Sequence, residues 1–352
     1  MRSYKSSREF SERKHEAGRF IKERLHVPEV FKFTAERFRQ IYNLLLKVSI
    51  NKHDQGHQYR VGLNTVVLME MLGYDKEVQA VSALSALIHD IGYNRKDPPD
   101  HNNIDPAAAG KTSFKKHAAY GADEAKRWLE LLGKMKESER NISTLPSNAQ
   151  AQGVSLDDLI TIKDENKNWR TLNKEDILQI YNQILHHNHY GMEGREFDPG
   201  EAGAVGLMVR FGDKIDVCRQ RVYDEHVKDP NVFIEGDDSF DPFYFHRCVP
   251  YSTLGYEFDM PEDCSSVTIR YYVDLDDFNV LMSGVEGYEG YTQEDYRKDF
   301  LRAYKKSFEI VSESLAVILG EGAAENNLRI EFVCEQGEIE PMEFSSPEKM
   351  AA

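Results

Sequence analysis

Basic residues, cysteine and long apolar runs are all scarce in this chain, and each scarcity excludes something. Lys and Arg number 44 against 60 Asp and Glu, a formal net charge of −16 over 352 residues. So acidic a surface repels nucleic acid and anionic membrane, so neither is an expected partner, and a small anionic ligand needs a local basic pocket. The four cysteines, Cys218, Cys248, Cys264 and Cys334, are scattered without a Cys-x-x-Cys spacing. They mark neither a disulfide framework nor a zinc knuckle, and reduced thiols in a cytoplasmic protein are the expectation. No apolar run reaches the length of a membrane span, and the first residues are charged (Arg2, Lys5, Arg8, Glu9) where a signal peptide would be apolar. There is no internal repeat and no low-complexity tract.

What is present is chain enough for two domains and a sizeable core. Residues 1–33 are polar and read as a lead-in helix or arm. Residues 34–227 carry helical periodicity, interrupted by the Asp97-Pro98-Pro99-Asp100 loop and by a polar insertion at 134–172. A loop that long is commonly functional, and a position at the rim of a pocket, as a lid, is expected for it. From 228 to 352 the pattern changes. Val267–Val273 and residues 328–333 alternate like strands, and Tyr296 to Leu319 repeats like a helix, which predicts a small α+β domain. The fold class expected is mainly α, a helical bundle followed by that smaller domain.

Within the helical region, metal-binding side chains follow one another in order: His57, the pair His89-Asp90, His117, the pair His186-His187, and Asp213. Imidazole and carboxylate suit Mn, Fe, Zn or Mg, and a carboxylate with two oxygens can bridge two ions, the role expected of Asp90. Two ions about 3.5–4 Å apart can activate water and clamp a phosphoryl group. Each ligand sits in a helical stretch. Val81, Leu84, Leu87, Ile88 and Ile91 lead through the His-Asp pair to Gly92, and Ile177, Ile180, Tyr181, Ile184 and Leu185 lead to His186. Side chains converging from several helices are how bundles build metal sites. Neighbouring helical residues point about 100° apart, so one of His186 and His187 is expected to ligate and the other to lie at the site's edge. A lone His or Asp can equally be a helix cap; His53, one turn before His57, reads as a cap or as an extra ligand or substrate contact, and His101, His189, His226 and His246 as surface or supporting residues.

The segments His57-Gln58-Tyr59-Arg60-Val61, His89-Asp90-Ile91-Gly92, His117-Ala118-Ala119-Tyr120-Gly121, His186-His187-Asn188 and Gly212-Asp213-Lys214-Ile215-Asp216 resemble the HD-domain metal-dependent phosphohydrolase superfamily over roughly residues 34–227. That resemblance implies an HD-type bundle with His57, His89, Asp90 and Asp213 as the shared metal core. His117 and one or both of His186 and His187 would complete a two-metal site on the pattern of the HD-GYP branch. The chain departs from that branch at Tyr93, where Lys is common, and no Gly-Tyr-Pro follows Gly191-Met192-Glu193-Gly194, so cyclic di-GMP specificity does not carry over.

The function implied is hydrolysis of a phosphoester on a small phosphorylated substrate, a nucleotide or cyclic (di)nucleotide. Two divalent ions would serve it, Mn or Fe foremost, with Mg, Zn or Ni as alternatives, and a homodimer is possible. Asp90 is expected to bridge and to accept a proton. Lys214 and Arg221, with Arg219, share the expected Asp213 helix and are candidates to neutralise the phosphoryl group; Arg60 and Lys115-Lys116 are further ones. Asp216 is expected to orient a ligand from behind. Four His and two Asp are also the ligand set of the mixed-valence di-iron oxygenases that share the HD scaffold, which makes O₂ activation the alternative. A nucleotide-sensing protein with a degenerate site is a third reading.

Overall fold

The computed structural model describes residues 19–21, 23–36, 55–94, 117–127, 129–130, 161–163, 169–188, 199–221, 245–286 and 288–345. Among these, helix dominates, alongside one two-stranded and one four-stranded sheet. The chain divides into two compact units, residues 27–213 and residues 1–26 with 214–352. The boundary expected at 227/228 lies outside the described residues, whereas the units part directly after Asp213. The expected arm at 1–33 is likewise shared: its described residues 19–26 belong to one unit, and the helical turn at 29–36 belongs to the other.

The first unit is helical. Helix Gln55–Met71 buries Val61, Leu63, Val66 and Met69, and helix Lys76–Ile88 buries Val81, Leu84 and Leu87. They meet helix Met208–Lys214 at Val61, Ala86 and Val209, all fully buried. Phe31 is fully buried and seals the bundle over Gly62, where an added Cβ would fall 2.7 Å from its ring. Helix Lys174–His186 starts at a capping box in which Asn173 accepts from the Asp176 backbone N–H and Asp176 accepts from that of Asn173, so orphan donors at the first turn are satisfied. Gln183 then donates to the Ser82 hydroxyl at 2.7 Å and to the Val205 carbonyl at 2.9 Å, tying three helices by one buried amide.

The last part of the expected insertion is ordered structure. Strands β1 (Thr161–Lys163) and β2 (Trp169–Thr171) pair antiparallel, with Ile162 buried. Arg170 reaches Glu77 at 2.7 Å and Asp176 at 2.6 Å, each on a different helix. A planar guanidinium spans two carboxylates where a lysine meets one, and this fork pins the hairpin to the bundle. Residues 161–163 and 169–172 of the insertion are thus ordered on the bundle, while 134–160 and 164–168, and with them most of the expected lid, lie outside the described residues.

In the second unit, strands β3 (Thr253–Asp259), β4 (Val267–Val273), β5 (Leu328–Cys334) and β6 (Met342–Phe344) form a sheet in that order. Pairing is antiparallel, parallel, antiparallel, and the parallel β4–β5 step is spanned by helices Leu275–Met282 and Gln293–Leu319. The long helix starts on a Thr292/Asp295 capping box and packs Phe300 and Phe308 against Tyr271, ring centroids 5.4 and 6.1 Å apart. The expected α+β character of this region holds, with β4, β5 and the long helix where the alternation and periodicity put them. From the N-terminal segment, Arg24 lies 4.0 Å over the Tyr272 ring and 4.3 Å over that of Phe20.

Candidate metal centre

Backbone proximity, set by glycines, brings the ligand-bearing segments together. Helix Lys76–Ile88 ends one residue before the His-Asp pair, and a 3-10 turn, Ile91–Asn94, follows it. Gly92, expected only as a stop signal, has a second role. A Cβ there would stand 1.8 Å from the His117 carbonyl oxygen and 2.5 Å from the Gly121 nitrogen, and a Cβ on Gly121 would stand 3.2 Å from the His89 carbonyl oxygen. Two absent side chains thus let the helix at 117–127 lie directly on the His-Asp turn. Gly212 does the same elsewhere, since a Cβ on it would stand 2.6 Å from the Val61 carbonyl oxygen. Asn64 donates to the Gly212 carbonyl at 3.0 Å, which seats Asp213 beside the helix of His57.

The side chains so placed form two groups that share Asp90. In the first, His57 Nε2 lies 3.7 Å from Asp90 Oδ2 and 3.3 Å from Asp213 Oδ1, and His89 Nε2 lies 3.1 and 3.9 Å from the same two oxygens. In the second, the other Asp90 oxygen, Oδ1, faces His117 Nε2 at 3.6 Å and His187 Nε2 at 3.7 Å, and the two Nε2 atoms are 2.8 Å apart. His57 and His89 are fully buried; Asp90, His117, His187 and Asp213 are nearly so. Ligand atoms bonded to one ion at about 2.0–2.2 Å sit about 2.9–3.5 Å from one another in tetrahedral or octahedral geometry. The observed separations bracket that range, and His57, His89 and Asp90, like Asp90, His117 and His187, form a possible metal-binding cluster, with Asp213 beside the first.

Tautomers point the same way. His89 Nδ1 lies 2.6 Å from the Ala86 carbonyl, and His187 Nδ1 lies 2.6 Å from the Ile184 carbonyl, each three residues back in the chain. A carbonyl only accepts, so both Nδ1 atoms carry protons and Nε2 is the atom each ring turns inward. This carbonyl-to-imidazole support is the usual way a ligating His is oriented. Electrostatics also favour a cation. Burial pulls the His89 imidazole down, but the charge and hydrogen bond of Asp90, helped by Asp213 and the Ala86 carbonyl, outweigh it and hold its pKa above the ordinary value. His187 is driven well below it by burial and by the neighbouring His89 and His117. The interior attracts positive charge yet does not let every imidazole be protonated.

The structure sorts the other expected residues. His186 lies outside both groups although it is buried, because the turn that aims His187 inward rotates its neighbour away. Burial, with the charge of Arg210, lowers its pKa to about 4, so it is neutral. The expectation that Lys214, Asp216, Arg219 and Arg221 share one helix fails: that helix ends at Lys214, a tight turn from Val217 N–H to the Ile215 carbonyl follows, and Arg219–Arg221 is a separate 3-10 turn. Arg219 is a core residue, donating to the Tyr251 carbonyl at 2.6 Å and to Asp277 at 2.7 Å. Arg221 donates to the Asp216 carbonyl at 2.9 Å, and the Asp216 carboxylate accepts from Tyr256 at 3.2 Å. The orienting role expected of Asp216 is filled at His89 and His187 by main-chain carbonyls. Arg60 is buried and Lys214 half-buried. His53, His101, Lys115, Lys116, His189 and His226 lie outside the described residues, as does the side chain of His246.

Arg210, fully buried beside His186, was not singled out by sequence, where it reads as one more charge on a helix; a cation inside the apolar run Leu207, Met208, Val209, Phe211 was the available signal. No protein-family model, curated protein or solved structure matches this chain, so the geometry of the site carries the functional reading.

Proposed function

We propose that this chain is a metal-dependent phosphohydrolase of the HD-domain type, with two divalent ions held by His57, His89, Asp90 and Asp213 on one side and by Asp90, His117 and His187 on the other. The observation that carries this reading is Asp90, whose two oxygens face two different sets of ligands. Two such ions, when bound, supply Lewis acidity for a phosphoryl group and a nucleophile at neutral pH. The protein's share is positional. With their Nδ1 protons committed to carbonyls, His89 and His187 would each offer Nε2 to an ion. Asp90, nearly all buried, holds two negative oxygens in a water-poor interior and can take up a proton there. Lys214, next in sequence to Asp213, and Arg221, which donates to the Asp216 carbonyl, are the cations we assign to substrate oxygens.

Protein purified without added metal, analysed for elements and screened for phosphate release from mononucleotides, cyclic nucleotides and cyclic dinucleotides, tests the proposal. Two ions per chain with turnover of one substrate class supports it. Metal loading without release from any class refutes the hydrolase. One observation favours a second reading: with His186 outside both groups, the set is four His and two Asp, the composition of the di-iron oxygenases on this scaffold. Two irons per chain, with oxygen uptake in place of phosphate release, would select it.

A further inference from the structure

His187 reaches the second group from a turn, one residue past the end of helix Lys174–His186. The last carbonyls of a helix have no partner within it, and when buried they must find one elsewhere. Here two of them, and the Asn188 carbonyl just beyond, are taken in a pattern centred on His187. The Ile184 carbonyl is met by the His187 ring at 2.6 Å. Arg210 Nε donates to the His186 carbonyl at 2.6 Å, and Arg210 Nη2 to the Asn188 carbonyl at 3.1 Å. One guanidinium thus clasps the peptides on both sides of the ligand. A cation at a helix C-terminus is also favoured by the alignment of the peptide dipoles. The planar fork holds the two carbonyls in a fixed relation that the flexible, rotatable ammonium of a lysine does not impose. Arg210 lies three residues before Asp213 on the same short helix, so one element supplies a ligand to the first group and sets the backbone of a ligand to the second.

We propose that Arg210 is a positioning residue for the second ion, fixing the turn that aims His187 at Asp90 Oδ1 while touching neither ion nor substrate. This rests on the two-ion reading above. A residue that merely held the fold would, on loss, weaken both ion sites together; one that sets His187 would weaken the second alone.

The test is calorimetric titration of metal-stripped protein with Mn²⁺ and with Co²⁺, whose visible spectrum reports coordination, in wild type, His187→Ala, Arg210→Met and Arg210→Lys. In wild type two ions bind. In Arg210→Met the second is expected to bind about 10–100-fold more weakly, the range seen when a supporting contact to a metal ligand is lost. The first should stay within about threefold of wild type, and the Co²⁺ spectrum should match that of His187→Ala. Arg210→Lys keeps the charge but meets one carbonyl, and should fall between. If Arg210→Met does not fold, Arg210→Lys decides by the same readout, and failure of both to fold makes Arg210 a fold-holding residue and overturns the proposal. Two ions at unchanged affinity in a folded Arg210→Met, or equal weakening of both, overturn it while leaving the two-ion site standing. A wild-type chain that binds fewer than two overturns the site itself and this proposal with it.

Discussion

Replacing Gly92 by Ala probes the centre without touching a ligand. The added Cβ would start 1.8 Å from the His117 carbonyl oxygen and 2.5 Å from the Gly121 nitrogen. Both are backbone atoms, so no side chain can swing aside. Reaching an ordinary carbon–oxygen contact of about 3.3 Å requires the 117–127 helix and the His-Asp turn to separate by about 1.5 Å. Metal sites tolerate about 0.2 Å in their ligand distances, so a shift several times larger takes His117 out of reach of an ion that Asp90 holds. Overpacking of this kind costs about 1–3 kcal/mol. For a unit the size of residues 27–213 that corresponds to a melting temperature lower by roughly 2–12 °C. Elemental analysis should then show loss of one ion while His57, His89, Asp90 and Asp213 keep the other. Leu63→Ala, a buried position expected to cost about 2–5 kcal/mol, serves as control: it should melt earlier yet keep both ions. Two ions at wild-type affinity in Gly92→Ala would refute the argument that backbone contact at this glycine sets the second group.

Asp90→Ala should strip both ions and abolish activity while leaving far-ultraviolet circular dichroism nearly unchanged; near-normal turnover with two ions would remove Asp90 from the site. His117→Ala should lower occupancy from two ions toward one, and a full complement by elemental analysis would exclude it as a ligand. Arg170→Ala loses two partly exposed ion pairs and should cost about 1 kcal/mol in urea unfolding, less at high salt, with metal content unchanged; a change in metal content would mean the hairpin acts on the centre. His186 is held neutral in the fold, its pKa near 4 against 6.5 when free. The unfolded chain therefore takes up its proton first, and stability drains as pH falls from about 6.5 to about 4. In metal-free protein His186→Gln should flatten that part of the urea-midpoint profile, and an unchanged profile would show that His186 does not drive it.

The residues of the two candidate clusters are readable from sequence because the chemistry a metal needs is written in residue type, and most of them recur at helix ends beside glycine. His57, His89, Asp90, His117 and Asp213 were legible in this way. The choice between His186 and His187 was not, since it depends on how one turn is held, and the atom that holds it comes from Arg210, more than twenty residues later. The expectation of one basic helix failed for a related reason: residues that follow a candidate ligand in sequence read as continuing its helix until that helix is seen to end at Lys214. In the second unit β4, β5 and the long helix declared themselves by periodicity. Strand β3, interrupted by Gly255 with its register shift, and the three-residue β6 are set by pairing with neighbours, which no local pattern records.

The central claim is that one carboxylate joins two ions. Anomalous diffraction from crystals grown with Mn²⁺ tests it most directly. The account predicts two peaks per chain, about 3.5–4 Å apart, one among His57, His89, Asp90 and Asp213 and the other among Asp90, His117 and His187, with one Asp90 oxygen on each. A single peak, or two peaks that do not share Asp90, would contradict it.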